Sequence, residues 1–232
     1  MSLIKWNEQS IGWFKEASAY TGYHKALAEK ILPYLERGDT LLDVGCGLGR
    51  LDFELAPYVS EILAVDVSEN AIKTLWLDIE RMNIKNLHAR RIDVEDTKGE
   101  YDVILMSFFG KPDMLVFLER CRRRIIRIVG AGNKSGLYPE QHRRVEKNAV
   151  PGVKDELEEI GIKYELELCV IEAGQPLRTW QDAEQFVLSN APDANADEIS
   201  DFLNENTERT GRDDFPFYLP YRKELGIFVI DK

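Results

Sequence analysis

The stretch that decides the fold is TLLDVGCGLGR, residues 40–50. A short apolar run over 40–44 ends in glycines spaced as GxGxG, at positions 45, 47 and 49, and a helical pattern resumes at Arg50. Glycines at the end of a strand let the backbone approach a ligand closely, and the helix that follows offers free N–H groups. The sequence therefore predicts a strand, a ligand-binding turn and a helix.

The spacing of these glycines distinguishes two classes of ligand. The dinucleotide fingerprint is GxGxxG, but Arg50 stands where its third glycine would be. Asp43, two residues before Gly45, would repel a pyrophosphate and attract an ammonium or sulfonium group. The turn therefore favours a ligand with a positive charge.

Carboxylates also follow the next two predicted strands. Asp66 ends a strand over 61–65, where a carboxylate can accept hydrogen bonds from both hydroxyls of a ribose. Asp93 ends a third strand over 87–92, where its carboxylate suits the exocyclic amine of adenine and the Val94 N–H suits a ring nitrogen. Together these residues indicate a nucleoside that carries a positive charge.

Some of these features also have simpler explanations. A tight turn that binds nothing would also use glycine. Three glycines, however, destabilise the strand and the helix, and a turn without a ligand offers nothing to offset that loss. Asp66 alone would serve as a cap for the helix that follows it. We expect His88 to be a packed or edge residue and His142 to lie on a solvated helix face. Neither histidine is proposed as a catalyst.

A group of arginines occupies positions 120, 122, 123 and 124. We interpret it as the end of a helix over 112–122, where cations meet the negative end of the helix dipole. The group is therefore not assigned to a nucleic acid.

Strand-like and helix-like segments alternate along the chain, which indicates a parallel sheet covered on both faces. Ser68 is the expected cap of the helix after the second strand, and Pro33 is expected to kink or divide an N-terminal helical segment. The predicted strands lie at 40–44, 61–65, 87–92, 101–106, 125–129, 164–171 and 225–230.

We expect one domain over residues 1–232. Its predicted parts are an N-terminal helical cap (1–38), a cofactor-binding core (39–131), the second half of the sheet (132–178), a helical insertion or lid (179–214) and the last strand (215–232). The insertion opens with Thr179-Trp180-Gln181-Asp182, which matches a capping box at the start of a helix.

Four segments resemble the successive motifs of class I S-adenosylmethionine-dependent methyltransferases. They are LLDVGCGLGRLDFELA (41–56), ILAVDVSENAI (62–72), RRIDVED (90–96) and YDVILMSFF (101–109). The resemblance is close over 38–131 and loose in the tail. It implies an α/β, Rossmann-like fold with helices on both faces of a seven-stranded, mostly parallel sheet. The implied strand order is 3-2-1-4-5-7-6, with strand 7 antiparallel and the insertion between strands 6 and 7.

The same resemblance implies S-adenosyl-L-methionine as cofactor and S-adenosyl-L-homocysteine as product. In that family the positions of Asp43 and Gly45 lie against the methionine part, that of Asp66 holds the ribose, and those of Asp93 and Val94 hold the adenine. The remaining residues expected at the cofactor are Cys46, Gly47, Gly49, Val67 and Ser107.

Methyl transfer from a sulfonium depends on alignment and on exclusion of water more than on a strong acid or base, so a signature catalyst is not required. The residues expected to reach the methyl group include Tyr20, Tyr23, His24 and Ser107, with Phe108, Phe109, Asn133 and Tyr138 as further candidates. The Asn/Asp-Pro-Pro-Tyr motif of amino-N-methyltransferases is replaced by Ser-Phe-Phe-Gly at 107–110. Methylation of DNA bases or of protein glutamine is therefore disfavoured.

The first hypothesis is a methyltransferase with a small-molecule acceptor. The second is a regulatory or partner-recognition module that keeps the cofactor-binding fold. The third, an NAD(P)-dependent oxidoreductase, is disfavoured by Asp43 and Arg50. The acceptor atom and the oligomeric state stay open, and a homodimer is compatible with the sequence.

Composition narrows the class of partner. Among 232 residues, 30 are Lys or Arg and 41 are Asp or Glu, and the net charge of −11 argues against long nucleic acid. No apolar run is long enough for a membrane span, and the first residues lack the pattern of a signal peptide, so we expect a cytoplasmic protein away from membranes. The 3 cysteines and 3 histidines have no metal-ligand spacing, so no metal centre is predicted.

Overall fold

The computed structural model describes residues 6–110, 112–132, 136–143 and 148–232. Its strands are β1 (Thr40–Val44), β2 (Glu61–Asp66), β3 (Leu87–Arg91), β4 (Tyr101–Ser107), β5 (Cys121–Gly130), β6 (Glu165–Glu172), β7 (Gln175–Leu177), β8 (Glu208–Arg209), β9 (Phe217–Leu219) and β10 (Arg222–Asp231). Its α-helices are α1 (Glu8–Thr21), α2 (Tyr23–Ile31), α3 (Arg50–Leu55), α4 (Glu69–Met82), α5 (Met114–Arg120), α6 (Val150–Glu159), α7 (Trp180–Asn190) and α8 (Ala196–Asn206).

Seven strands form the central sheet in the order β3-β2-β1-β4-β5-β10-β6. The first five pair in parallel, and β10 pairs antiparallel with both β5 and β6. This arrangement confirms the α/β fold class, the strand order and the antiparallel last strand expected from the sequence. The carboxyl ends of β1 to β5 therefore share one edge with the first residues of β10.

Two apolar layers cover the sheet, one on each face. Helices α2, α3 and α4 pack on one face through residues such as Leu27, Leu55 and Leu75. Helices α5 and α6 pack on the other face through Phe117 and Val153. Burial on both faces explains why the central strands are continuous apolar runs rather than alternating ones.

Helix α4 begins where the sequence predicts it. Ser68 is its N-cap, and the Ser68 hydroxyl accepts a hydrogen bond from the Ala71 N–H at 3.3 Å. Thr179 caps α7 in the same way by accepting from the Asp182 N–H at 3.0 Å. Asp182 does not complete a capping box, because its carboxylate accepts from the Arg178 N–H and from α1 instead.

The structure corrects the interpretation of the arginine group. Helix α5 ends at Arg120, and residues 122–124 belong to β5, so these three side chains do not lie at a helix end. Arg123 pairs with Asp39, and Arg124 donates to Asp231 at 2.6 Å. The cations hold neighbouring segments of chain at the amino end of β5.

The N-terminal segment divides at a different residue from the one expected. Gly22, with φ of 67°, ends α1 and precedes α2, and its N–H donates to Ser18 O at 3.1 Å. Pro33 lies beyond both helices in a 3-10 turn, Leu32–Tyr34. The break therefore comes from a glycine in the left-handed conformation rather than from the proline.

The region between β6 and β10 contains more than the expected helices, and because its strands β7 and β9 lie outside 179–214, the name insertion is used below for residues 175–219. Helices α7 and α8 pack on a second, antiparallel sheet in the order β7-β9-β8. Trp13 of α1 lies in the apolar cluster of this unit, beside Phe186. No helix in the described ranges is long and apolar enough to cross a membrane.

Candidate functional site

The glycine turn after β1 folds over the end of β2. Gly45, Gly47 and Gly49 have φ of 74°, 54° and 64°, a region that other residues rarely adopt. The Gly45 and Cys46 N–H groups donate to Val65 O at 2.8 and 3.0 Å. The turn is therefore fixed to β2 by backbone hydrogen bonds.

The three glycines are in contact with different parts of the protein. A Cβ atom on Gly45 would lie 2.7 Å from the Phe109 ring, and one on Gly47 would lie 3.3 Å from the Trp6 ring. A Cβ atom on Gly49 would lie 2.5 Å from Leu75 of α4. Gly49 thus permits the packing of α3 against α4, whereas Gly45 and Gly47 face aromatic rings from outside the turn.

Asp66, at the end of β2, holds the turn in place. Its Oδ2 atom accepts from the Gly47 N–H at 2.9 Å, and its Oδ1 atom accepts from the Ser68 N–H at 2.8 Å. The interpretation of Asp66 as the helix cap is wrong, because Ser68 caps α4. Each carboxylate oxygen has a second lone pair, so Asp66 can still accept from the hydroxyls of a ligand.

Asp43 and Asp52 form a buried carboxyl pair beneath the turn. Both side chains are buried, and Asp43 Oδ1 and both carboxylate oxygens of Asp52 have no hydrogen-bond partner within the described residues. Burial raises the pKa of Asp43 well above its usual range and that of Asp52 to about 7. Burial also raises the pKa of the Cys46 thiol, and the nearby Asp52 adds to that effect.

The other predicted cofactor residues lie along the same edge of the sheet. Asp93 is exposed after β3 and accepts from the Glu95 N–H at 3.1 Å. The carbonyls of Val67 and Val94 accept from Arg91 and Arg120, at 3.2 and 2.9 Å. Ser107 is the last residue of β4. The fold thus brings the predicted positions from four neighbouring strands to one edge.

The sequence interpretation missed the residues that hold the loop after β4. Arg127 of β5 is fully buried and donates to Asn148 Oδ1 at 2.8 Å and to Glu156 at 3.2 Å. Asn148 in turn donates to Phe109 O and Gly110 O, both at 2.7 Å. The available signal was an arginine inside the apolar run Ile-Ile-Arg-Ile-Val, since a buried charge needs partners.

The catalytic candidates fall into two groups. Tyr23 and His24 have adjacent rings, 4.9 Å apart, at the start of α2. Tyr20 instead stacks on Tyr218 of β9, with centroids 5.0 Å apart. Ser107 lies on β4, and Asn133 lies outside the described residues.

His24 is poorly suited to take a proton at neutral pH. Its Nδ1 atom lies 2.7 Å from Ser18 Oγ. Burial, followed by the charges of Arg50 and Lys223, lowers the pKa of His24 to about 3. A base with so low a pKa has little affinity for a proton at pH 7.

Helix α1 connects the glycine turn with the insertion. Trp6, just before α1, lies against Gly47, and its carbonyl accepts from Asn70 at 2.7 Å. Further along, Trp13 Nε1 donates to Asp182 Oδ1 at 2.8 Å, and Glu16 pairs with Arg178 at 2.6 Å. The N-terminal segment therefore contacts both the turn and the insertion.

Comparison with known proteins agrees with this geometry. The sequence profile of the family described as "Methyltransferase domain" matches residues 42–125, the segment that carries the glycine turn and Asp66. Residues 42–125 are thus similar to a methyltransferase domain. The fold of the chain, a seven-stranded sheet with an antiparallel last strand, is similar to that of solved methyltransferase structures.

Two curated relatives of the methyltransferase domain are each 27% identical over a limited region. One is a probable cobalt-precorrin-6B C(15)-methyltransferase from Methanococcus vannielii, matched over 38% of this chain and 49% of that protein. The other is a ubiquinone biosynthesis O-methyltransferase from Acinetobacter baumannii, matched over 44% of this chain and 47% of that protein. The chain thus spans about half the length of the curated relatives it matches.

Solved structures share the fold over most of the chain. YcgJ from Bacillus subtilis has a TM-score of 0.59 at 11% identity and covers 91% of this chain and 98% of its own. Magnesium protoporphyrin IX methyltransferase from Synechocystis was solved with bound S-adenosylmethionine. It has a TM-score of 0.53 at 13% identity, and the match covers 91% of this chain and 81% of that protein.

Proposed function

We propose that the methyltransferase domain binds S-adenosylmethionine and transfers its methyl group to a small-molecule acceptor. The observation that carries the proposal is the placement of Asp43, Asp66 and Asp93 at the carboxyl ends of three adjacent strands, around a glycine turn. Acidic groups at that edge suit a nucleoside that carries a positive charge.

The chemistry of these residues fits such a cofactor. Asp43 Oδ1 is buried and accepts no hydrogen bond from an N–H or a hydroxyl in the described part of the chain. A carboxyl group in that position is suited to a cationic neighbour, which would favour its charged form. Asp66 is held by the turn and keeps lone pairs for ribose hydroxyls. We infer that Asp43 faces the methionine part and Asp66 the ribose.

The residues of the chain would contribute chiefly alignment and exclusion of water. When bound, the cofactor supplies a methyl group on a positively charged sulfur. Displacement at that carbon needs the acceptor atom in line with the carbon–sulfur bond. We assign no general base, because the low pKa of His24 makes it unsuited to that role near pH 7.

A small acceptor is supported by what surrounds the edge of the sheet. The N-terminal segment and the insertion contact each other through Tyr20, Phe215 and Tyr218. We infer that they form a lid that limits the size of the acceptor and excludes water. Two of the matched relatives have names that concern cobalt-precorrin and ubiquinone biosynthesis and so support a small acceptor, whereas a third is named as a ribosomal protein L11 methyltransferase.

The experiment combines binding with turnover. Calorimetry should detect binding of S-adenosylmethionine and S-adenosylhomocysteine and none of NADH. Labelled S-adenosylmethionine should then transfer its methyl group to a compound in a metabolite extract. Binding of NADH alone would contradict the proposal in favour of an oxidoreductase. Binding of both adenosyl compounds without transfer to any extract would favour a regulatory module.

A further inference from the structure

Asp52, the third residue of α3, is a buried acid without a hydrogen-bonding partner. Its side chain is fully buried, and neither of its carboxylate oxygens has a partner in the described part of the chain. A Cβ atom on Gly49 would lie 3.3 Å from Asp52 Oδ2, so the carboxyl group lies against the glycine turn. An ionised carboxylate is strongly destabilised in such a place, which favours the protonated form.

The groups around Asp52 are themselves acids or a neutral thiol. Asp43 of β1 is also buried, and its Oδ1 atom has no partner in the same described ranges. Burial and the nearby charge of Asp52 raise the pKa of Asp43, and Asp66 of β2 adds to the effect. Burial and the same three acids raise the pKa of the Cys46 thiol, which therefore stays neutral. Asp43 and Asp52 thus form a carboxyl pair with further negative charge beside it.

The cations next to α3 are engaged elsewhere. Arg50, at the start of α3, and Lys15 of α1 both pair with Asp78 of α4. His24 of α2 is neutral near neutral pH, since burial, followed by the charge of Arg50, lowers its pKa to about 3. Burial raises the pKa of Asp52 to about 7. Two carboxyl groups side by side, away from water and cations, do not both ionise, so the pair keeps a proton below that value.

We propose that Asp52 is a positioning residue for the cofactor: it holds a proton jointly with Asp43, and this proton leaves for solvent when the ammonium of the cofactor binds beside Asp43. In this exchange an O–H bond of the carboxyl pair breaks, its electron pair stays on the oxygen, and water or buffer takes the proton. The ammonium replaces the positive charge that leaves. The inference rests on the proposed function and adds that cofactor binding strengthens as the pH rises.

The test compares two ligands that differ in the group that carries the charge. S-adenosylhomocysteine has an ammonium and a carboxylate, whereas 5′-methylthioadenosine has the same nucleoside and sulfur without them. Calorimetry in buffers of different ionisation enthalpy counts the protons released on binding. Between about pH 5.5 and 6.5, S-adenosylhomocysteine should release about one proton and bind about 10-fold tighter at the higher pH. Methylthioadenosine should release none, and its affinity should stay constant.

Substitutions then assign the proton to the pair. Asp52→Asn should reduce the release to less than about half a proton, because the amide cannot ionise and its N–H can donate to Asp43, which favours the charged form of Asp43. The affinity for S-adenosylhomocysteine should then depend little on pH. Asp39→Asn is the matched control, because Asp39 is also a buried acid but precedes β1 at its amino end and pairs with Arg123. It should release as many protons as the wild-type protein.

The outcomes separate this inference from the proposed function. If the wild-type protein does not bind S-adenosylhomocysteine, the proposed function itself is contradicted. If S-adenosylhomocysteine binds without releasing a proton, or methylthioadenosine releases as many, the role of the carboxyl pair is wrong while the proposed function stands. A release that is unchanged in Asp52→Asn also overturns it. If Asp52→Asn fails to fold, the proton count for the wild-type protein still decides the question.

Discussion

The buried guanidinium of Arg127 donates to Asn148 Oδ1 at 2.8 Å, and this bond links the core of the sheet to the loop that borders the glycine turn. Asn148 in turn donates to Phe109 O and Gly110 O, so the side chain of Arg127 helps to fix the loop after β4. The ring of Phe109 lies against Gly45, so the position of the loop determines one wall of the proposed cofactor site.

Asn148→Ala should therefore loosen that wall. The substitution removes two hydrogen bonds to the loop and one partner of a buried cation, which we expect to cost about 1–3 kcal/mol of stability. Asn86→Ala is the matched control, because Asn86 also donates to two backbone carbonyls, Ala56 O and Val59 O, outside the described site. Both variants should lower the melting temperature, but only Asn148→Ala should weaken S-adenosylhomocysteine binding in calorimetry. Equal affinities in the two variants would contradict the proposed link.

The pair of Asp43 and Asp52 should make the protein less stable as the pH rises. Burial raises the pKa of Asp52 from 3.8 to about 7, so the native state binds more protons than the unfolded state between these values. The free energy of unfolding should then fall as the pH rises from about 4 to about 7. Asp52→Asn should reduce this fall, as measured by urea unfolding at several pH values.

Asp102 offers a control of opposite sign for that experiment. Hydrogen bonds from Thr40 lower the pKa of Asp102 below 3.8, so its contribution is present above that value and is lost as the pH falls through the lowered pKa. Asp102→Asn should leave unchanged the slope of the unfolding free energy between about pH 5 and 7, because the contribution of Asp102 changes only at lower pH. A wild-type slope that Asp52→Asn does not alter would show that the pair does not titrate there.

Asp66→Ala should weaken binding of S-adenosylhomocysteine by about 1–3 kcal/mol, because both the ribose hydroxyls and the Gly47 N–H lose an acceptor. Ser68→Ala separates this effect from damage to the helix start, since it removes the α4 cap and leaves the Asp66 carboxylate. It should reduce stability by about 1 kcal/mol and change affinity little. If Ser68→Ala weakened binding as much as Asp66→Ala, the carboxylate would have no separate role.

Trp13→Phe should loosen the contact between α1 and the insertion. The change removes the hydrogen bond from Trp13 Nε1 to Asp182 and keeps an aromatic ring beside Phe186, at an expected cost of about 1 kcal/mol. Hydrogen exchange should become faster in α1 and α7 together. Trp180→Phe, within the insertion, should leave exchange in α1 unchanged. Faster exchange in α7 without any change in α1 would show that the two helices do not open together.

The ends of the first three strands could be predicted from the sequence because glycines or carboxylates follow apolar runs there, whereas the strand order was predicted from the family resemblance. The glycines at 45, 47 and 49 and the carboxylate of Asp66 can be recognised locally, but the hydrogen bonds that join the turn to Val65 O and Asp66 connect separate strands. The sequence also predicted the caps Ser68 and Thr179, since each precedes a clear helical pattern.

What could not be predicted depends on contacts between distant parts of the chain. Asn148 meets Phe109 O although the two are 39 positions apart, and no pattern in the sequence marks that pair. The strands β7, β8 and β9 are two or three residues long, too short for an alternating pattern. The role of Arg123 in β5 depends on Asp39, 84 positions away.

Trp6, just before helix α1, lies against the glycine turn, and Trp13 of α1 lies in the core of the insertion. Under the proposed function, a movement of α1 would displace its contacts with the cofactor turn and with the insertion together. The methylated product and S-adenosylhomocysteine would then leave in one opening event. The slower of these two departures would limit turnover. Substitutions in the insertion that select a new acceptor should for this reason also change the residence time of the cofactor.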